Sequence, residues 1–105
     1  MKPVNIGIIG LGTVGSGVVN LLHRNAEEIS RRAGRNIVVT QAVVRDLGLA
    51  RDCPTHRFSL TNNPYDVTDH PDIDIVIELV GGIEVAKDVT YRSLENGKHV
   101  VTANK

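Results

Sequence analysis

The sequence contains little cysteine, few aromatic residues and no net charge. Cys53 is the one cysteine among 105 residues, which excludes a disulfide framework and a cysteine-rich zinc site and is typical of a reducing compartment. Lysine plus arginine number 12 and the acids also number 12, whereas nucleic-acid binders carry a basic excess. No apolar run approaches the roughly 18–20 residues that span a bilayer, and no signal-peptide cleavage pattern is present. These absences predict one soluble, cytoplasmic domain over residues 1–105, without nucleic-acid or membrane partners.

The first forty residues change their apolar pattern from strand to helix and back to strand. The short apolar run over residues 4–9 predicts a strand buried on both faces. Apolar residues then recur every three or four positions, which predicts one helix from about Thr13 to Ala33, ended by Gly34. The β-branched run over residues 37–44 predicts a second strand.

The remainder repeats this alternation after a loop rich in proline and asparagine. It predicts these elements: a brief strand over 57–60, a helical turn over 65–68, a strand over 73–80, a helix from Ile83 capped by Asn96 and Gly97, and a last strand over 99–102. Strands that alternate with helices form parallel sheets with right-handed crossovers. The predicted fold class is therefore α/β, a Rossmann-like doubly wound parallel sheet of about five strands.

Ligands of such sheets bind beyond the carboxyl ends of the strands, where the strand order reverses. One loop expected there, over residues 10–15, reads G-x-G-x-x-G between a predicted strand and a predicted helix. Gly10 would permit the tight turn, Gly12 would let a pyrophosphate approach the backbone, and Gly15 would let helix and strand pack closely. The free N–H groups and the helix dipole would favour phosphates. The motif predicts a dinucleotide site.

The second strand ends in Arg45 and Asp46, two residues that favour different cofactors. Arginine can donate several charge-assisted hydrogen bonds to a 2′-phosphate, so Arg45 favours NADP. Asp46 could bind the ribose hydroxyls of NAD, which keeps NAD as an alternative.

Several other reactive residues carry no recognisable site. The four histidines show no metal-ligand spacing, so no metal is expected. Cys53 has no evident partner base and is interpreted as a bystander thiol. Glu78 interrupts an apolar strand, where burial would require a partner. It could border the ligand crevice or accept a structural hydrogen bond, and the sequence does not distinguish these.

Four motifs, in matching order and spacing, resemble the homoserine dehydrogenase family over essentially the whole chain. They are Gly-Leu-Gly-Thr-Val-Gly-Ser-Gly at 10–17, Val-Val-Arg-Asp at 43–46, Glu-Leu-Val-Gly-Gly at 78–82 and Val-Thr-Ala-Asn-Lys at 101–105. The family interconverts L-homoserine and L-aspartate 4-semialdehyde with NAD(P), on the route to threonine, methionine and isoleucine. The resemblance therefore implies an NAD(P)-dependent oxidoreductase.

The resemblance also implies roles for individual residues. The implied cofactor contacts are Gly10, Leu11, Gly12, Thr13, Val14 and Gly15 at the pyrophosphate, Arg45 at the adenosine ribose or its phosphate, Val80, Gly81 and Gly82 near the nicotinamide, and Thr102, Asn104 and Lys105 in the crevice. Lys105 matches one of two lysines at the reacting centre of the family and is the expected catalytic residue.

Members of this family continue for a few hundred residues beyond the part matched here. The chain is therefore expected to be the N-terminal cofactor-binding portion of a longer homo-oligomeric enzyme, truncated before the substrate and dimerisation region and inactive on homoserine alone. One alternative is a stand-alone dinucleotide-sensing module without catalysis. Another is a related oxidoreductase such as aspartate-semialdehyde dehydrogenase, which needs a catalytic cysteine further along the chain.

Overall fold

A computed structural model describes residues 3–45, 47, 58–80 and 83–102 of the chain. Strands and helices alternate along it. The elements are β1 (Val4–Ile9), α1 (Thr13–Arg24), α2 (Ala26–Ala33), β2 (Ile37–Val43), β3 (Ser59–Thr61), α3 (Tyr65–Thr68), β4 (Ile75–Glu78), α4 (Ile83–Glu95) and β5 (His99–Thr102). Within this described part, no helix has both the length and the apolar character needed to cross a bilayer.

The five strands form one sheet in the order β3-β2-β1-β4-β5, and every pairing is parallel. The chain starts at the centre of the sheet, builds outward through β2 and β3, and then crosses to the other side of β1 to add β4 and β5. This confirms the predicted doubly wound α/β fold. The strand order reverses between β1 and β4, so the crevice expected for a ligand lies beyond the ends of these two strands.

The core consists of two apolar layers, one on each face of the sheet. Ile8 of β1 packs in one layer with Val19 of α1, and Ile9 packs in the other with Val89 of α4. Successive residues of a strand point to opposite faces, and both isoleucines have no exposed surface. Burial on both faces explains why β1 is a continuous apolar run.

The prediction of a single helix over residues 13–33 was wrong, because the helix is interrupted at Asn25. The backbone of Asn25 leaves helical geometry, with φ −108° and ψ 19°. Its side-chain Nδ2 donates a hydrogen bond to the carbonyl oxygen of Leu21 at 3.1 Å. An asparagine side chain that bonds nearby backbone competes with helical hydrogen bonding, and α2 begins anew at Ala26.

Other element boundaries shift by one or two residues from the prediction. The strand predicted over 73–80 is β4, Ile75–Glu78, and the one predicted over 57–60 is β3, Ser59–Thr61. The second strand ends at Val43, one residue early. The predicted glycine caps are confirmed, since Gly34 and Gly97 adopt left-handed φ values of 72° and 77°.

Candidate functional site

The carboxyl edge of the sheet brings together several residues that the sequence marked as a site. Gly10 follows β1, Arg45 lies two residues beyond β2, Val80 lies two residues beyond β4, and Thr102 ends β5. Five predicted site residues or neighbours fall outside the described residues: Asp46, Gly81, Gly82, Asn104 and Lys105. Cys53 and His56 also fall outside them.

Gly10 makes the turn between β1 and the loop that leads to α1. Its φ of 105° lies in the region that side chains disfavour. A Cβ at this position would also stand 3.3 Å from the backbone carbonyl carbon of Leu79. The Gly10 amide donates a hydrogen bond to the Val43 carbonyl oxygen at 2.9 Å. Gly10 therefore fixes the start of the loop between the ends of β2 and β4.

Gly15 and Gly12 serve different purposes, as the sequence predicted. A Cβ on Gly15 would lie 2.1 Å from the carbonyl oxygen of Gly10, so α1 packs against the loop at a distance that only glycine allows. No atom of the described residues lies within 4 Å of the position that a Cβ on Gly12 would take. The space above Gly12 is open, as the approach of a ligand to this backbone requires.

The N-terminus of α1 is available to an anion. Gly12 is the N-cap residue, no side chain among the described residues caps the helix, and its first turn contains no acidic residue. The first N–H groups of a helix have no acceptor within the helix, and the helix dipole places positive partial charge there. Val14, in this first turn, is 62% exposed. The donors and the open space fit a pyrophosphate group.

Leu79, to which the sequence assigned no role in the site, lies against the glycine loop. Its amide donates a hydrogen bond to the Ile9 carbonyl oxygen at 2.9 Å. Its side-chain Cδ1 lies 3.5 Å from the position a Gly15 Cβ would take. Leu11 of the loop is itself buried and belongs to the apolar layer of α1, so its side chain anchors the loop. In the sequence, Leu79 lay within the strand predicted over 73–80 and within the Glu-Leu-Val-Gly-Gly motif, but neither pattern indicated its contact with the glycine loop.

Glu78 accepts structural hydrogen bonds, one of the two roles that the sequence left open. The residue has no exposed surface. Its Oε2 accepts a hydrogen bond from the Val80 amide at 2.6 Å, and its Oε1 accepts one from the Thr102 hydroxyl at 2.7 Å. Both carboxyl oxygens are therefore partnered, which satisfies the requirement for a buried polar group.

Arg45 is exposed at the end of β2, one residue after the buried Val44. An exposed arginine on this edge can reach toward a ligand bound across the ends of the strands. Among the described residues, no three histidine, cysteine, aspartate or glutamate side chains are grouped so that they could hold a metal ion.

The parallel sheet with reversed order, the glycine turn and the uncapped start of α1 define a dinucleotide-binding domain of the Rossmann type. The comparisons with known proteins agree. Residues 10–105 match the family model described as "Homoserine dehydrogenase, NAD binding domain", and the chain belongs to this family.

Relatives and solved structures extend this similarity to the whole chain. Homoserine dehydrogenases of Methylobacillus glycogenes and Pseudomonas aeruginosa are 50% and 52% identical over 105 residues. The crystal structure of S. aureus homoserine dehydrogenase at pH 7.0 matches with a TM-score of 0.93 and 39% identity over 100% of the chain. The chain covers 26% and 24% of the two relatives and 27% of that structure, about a quarter of their length.

A more distant structure shares the fold alone. Levoglucosan dehydrogenase, in complex with NADH, superposes with a TM-score of 0.77 at 22% identity and covers 96% of the chain. At this identity the likeness concerns the arrangement of strands and helices.

Proposed function

We propose that this chain is the cofactor-binding portion of a homoserine dehydrogenase, in which it binds a nicotinamide dinucleotide across the carboxyl ends of β1 and β4. The observation that carries the proposal is the geometry of Gly10, Gly12 and Gly15 at the uncapped N-terminus of α1. In the longer enzyme, the reaction would interconvert L-homoserine and L-aspartate 4-semialdehyde by hydride transfer.

The glycine loop would hold the pyrophosphate through its backbone. Helix α1 begins with Thr13, Val14 and Gly15. The backbone N–H groups of these residues would donate hydrogen bonds to phosphate oxygens. The open space above Gly12 would let these oxygens approach within hydrogen-bond distance. When bound there, the dinucleotide would provide a nicotinamide ring capable of hydride transfer. Val80, Gly81 and Gly82 would lie on that side of the site.

Arg45 would bind the 2′-phosphate of NADP, which makes NADP the favoured cofactor and NAD the alternative. Its exposed position at the end of β2 supports this assignment. We expect Arg45→Ala to lower the affinity for NADP by about tenfold or more and to change the affinity for NAD by less than about threefold. The charge-assisted hydrogen bonds that are lost would reach only the 2′-phosphate. Calorimetric titration of both cofactors at fixed salt measures this.

Arg24→Ala is the matched control for Arg45→Ala. Arg24 is also exposed, but it ends α1 at the opposite end from the glycine loop. Its removal should leave both affinities unchanged. If Arg45→Ala lowers the affinities for NADP and NAD equally, or lowers neither, Arg45 does not bind the 2′-phosphate.

Lys105 would act at the reacting centre, with Thr102 and Asn104 lining the same crevice. Oxidation of an alcohol requires a base to accept the hydroxyl proton as the hydride leaves. An ordinary lysine has a pKa near 10.4, so desolvation or a neighbouring cation must lower it for this role.

Lys105→Ala in the full-length enzyme should lower kcat by about 10²–10⁴-fold while the dinucleotide Kd changes by less than about threefold. Steady-state oxidation of homoserine and a fluorescence titration with reduced cofactor give the two values. Lys87→Ala, on the exposed face of α4, is the control and should keep wild-type kcat. A Lys105→Ala enzyme with undiminished turnover would remove this residue from the reaction.

The whole enzyme is proposed to add a substrate and dimerisation region to this domain, to act as a homo-oligomer in the cytoplasm, and to bind neither nucleic acid nor membrane. The fourfold greater length of the relatives supports the added region. The 105-residue chain alone should bind the dinucleotide but not oxidise homoserine. Turnover by this chain alone would contradict that division of roles.

A further inference from the structure

Glu78 is a buried acid at the boundary between two segments of the proposed site. It is the last residue of β4 and is in register with Ile9 of β1 on one side and Thr102 of β5 on the other. Residues in register across a sheet share a face. On this face Ile9 belongs to an apolar layer, so an apolar residue would suit the position for packing alone.

The two oxygens of Glu78 bind two different parts of the chain. Oε2 accepts the Val80 amide at 2.6 Å, which fixes the first turn of the segment after β4. Oε1 accepts the Thr102 hydroxyl at 2.7 Å, which fixes the end of β5. The partners lie 2 and 24 residues away along the chain. A single side chain therefore contacts the segment after β4 and the end of β5, in addition to the backbone pairing of β4 with β5.

Val80, one of the two hydrogen-bond partners of Glu78, also lies close to the glycine loop. The Val80 side-chain Cγ2 stands 3.3 Å from the position of a Cβ on Gly10. A displacement of Val80 would thus act on the turn that begins the phosphate-binding loop. Thr102, at the other end, precedes Lys105 by three residues. Contacts through Glu78 link the segment that leads to the proposed catalytic lysine with the segment beside the nicotinamide.

We propose that Glu78 is a positioning residue that aligns the nicotinamide side of the site with the end of β5; this inference rests on the proposed function. Glu78 would not touch cofactor or substrate. Its contribution would be to hold Val80 and Thr102 in one geometry, because a misplacement of about 1 Å can cost about a hundredfold in rate.

The test compares Glu78→Met with Glu78→Gln in the full-length enzyme. Methionine fills the apolar space but accepts neither hydrogen bond. Glutamine keeps an acceptor for the Val80 amide, and its NH₂ group can donate to the Thr102 hydroxyl, which can also accept. We expect Glu78→Met to lower kcat by about tenfold or more and Glu78→Gln to restore most of that loss.

Binding of a cofactor fragment separates positioning from general damage. ADP-ribose with a 2′-phosphate carries the pyrophosphate and lacks the nicotinamide. Its affinity for Glu78→Met should stay within about threefold of wild type, while affinity for the whole dinucleotide falls further. Equal losses for both ligands, or an unchanged kcat, would overturn the inference. If Glu78→Met fails to fold, Thr102→Val, which removes the hydroxyl that donates to Glu78 Oε1, should lower affinity for the whole dinucleotide more than for the fragment, by a smaller factor.

The two proposals fail in different ways. If the wild-type enzyme does not oxidise homoserine, the proposed function is wrong, and the difference between fragment and whole dinucleotide still tests Glu78. If the wild type is active and Glu78→Met either keeps the wild-type kcat or loses affinity equally for the fragment and the whole dinucleotide, the positioning role alone is wrong.

Discussion

At the scale of single residues, three glycines of one motif meet three separate physical requirements. Gly10 needs a positive φ, Gly15 needs the absence of a Cβ for packing, and Gly12 has open space around it. The motif predicted these roles because each follows from a fixed place between strand and helix. The sequence left two roles open for Glu78 and could not identify its partner Thr102, which is 24 residues away and is brought close by the pairing of β4 with β5.

Gly15→Ala should destabilise the domain strongly. The added Cβ would lie 2.1 Å from the Gly10 carbonyl oxygen, a backbone atom that cannot move aside without disturbing the turn. We expect a loss of about 2–3 kcal/mol in the free energy of unfolding, measured by urea denaturation.

Gly17→Ala provides the comparison for Gly15→Ala. In the part of the chain that the structure describes, a Cβ on Gly17 meets nothing within 4 Å, and alanine is a better helix former than glycine, so a gain of about 0.5–1 kcal/mol is expected. Equal stability of Gly15→Ala and wild type would show that the close approach of α1 to the loop is not tight in solution.

At the scale of elements, polar contacts join α3 to α4 on the surface of the domain. Arg92 of α4 donates two hydrogen bonds to Asp69, from Nε at 2.9 Å and from a terminal nitrogen at 2.8 Å. Its guanidinium also lies 4.0 Å from the ring centre of Tyr65, and the Tyr65 hydroxyl donates to Asp88 at 2.7 Å. The sequence predicted both helices from their local patterns but not these contacts, which depend on how the helices pack.

At the edge of the sheet opposite the proposed site, the buried Lys98 forms hydrogen bonds that link two segments of the chain. The Lys98 ammonium donates hydrogen bonds to the carbonyl oxygens of His70 and, at 2.8 Å, Ile73. Burial lowers the pKa of Lys98, and the carboxylates of Asp74, Asp69 and Asp72 oppose this effect. These bonds connect the turn before β4 to the start of β5, far from the carboxyl edge that carries the site.

The link between α3 and α4 predicts a dependence of stability on acid pH. The hydrogen bonds from Arg92 lower the pKa of Asp69 from 3.8 to about 2. A lowered pKa in the folded state means that ionised Asp69 stabilises the fold above about pH 4, and that this contribution is lost as the pH falls toward about 2. The free energy of unfolding of the wild type, measured by urea denaturation, should therefore fall as the pH is lowered from about 4 toward about 2.

Two variants test the cause of this pH dependence. Asp69→Asn removes the titrating group, and Arg92→Met removes the donor that contributes most to the pKa shift. Each should show a smaller change in unfolding free energy than the wild type between about pH 5 and about pH 2. A wild-type pH dependence in both variants would mean that the contact between Asp69 and Arg92 does not persist in solution.

At the scale of the whole molecule, the order of the strands places the site. The chain reverses direction across the sheet between β1 and β4, and the glycine loop lies at this reversal. Alternating strands and helices were sufficient to predict a parallel, doubly wound sheet, because right-handed crossovers leave few arrangements. The break at Asn25 was not predicted, since the apolar stripe continues through it and the side-chain hydrogen bond that accompanies the break leaves no mark on that stripe.

Binding of the pyrophosphate by the backbone at the start of α1 can be measured by comparing Gly12→Val with Gly17→Val as its control. At either position a Cβ meets no described residue within 4 Å, so both variants should fold, and only valine at position 12 should occupy the space of the ligand. Calorimetric titration with NADP and NAD should show a loss of at least about tenfold for Gly12→Val and near wild-type affinity for Gly17→Val. Wild-type affinity in Gly12→Val, or an equal loss in both variants, would contradict the account.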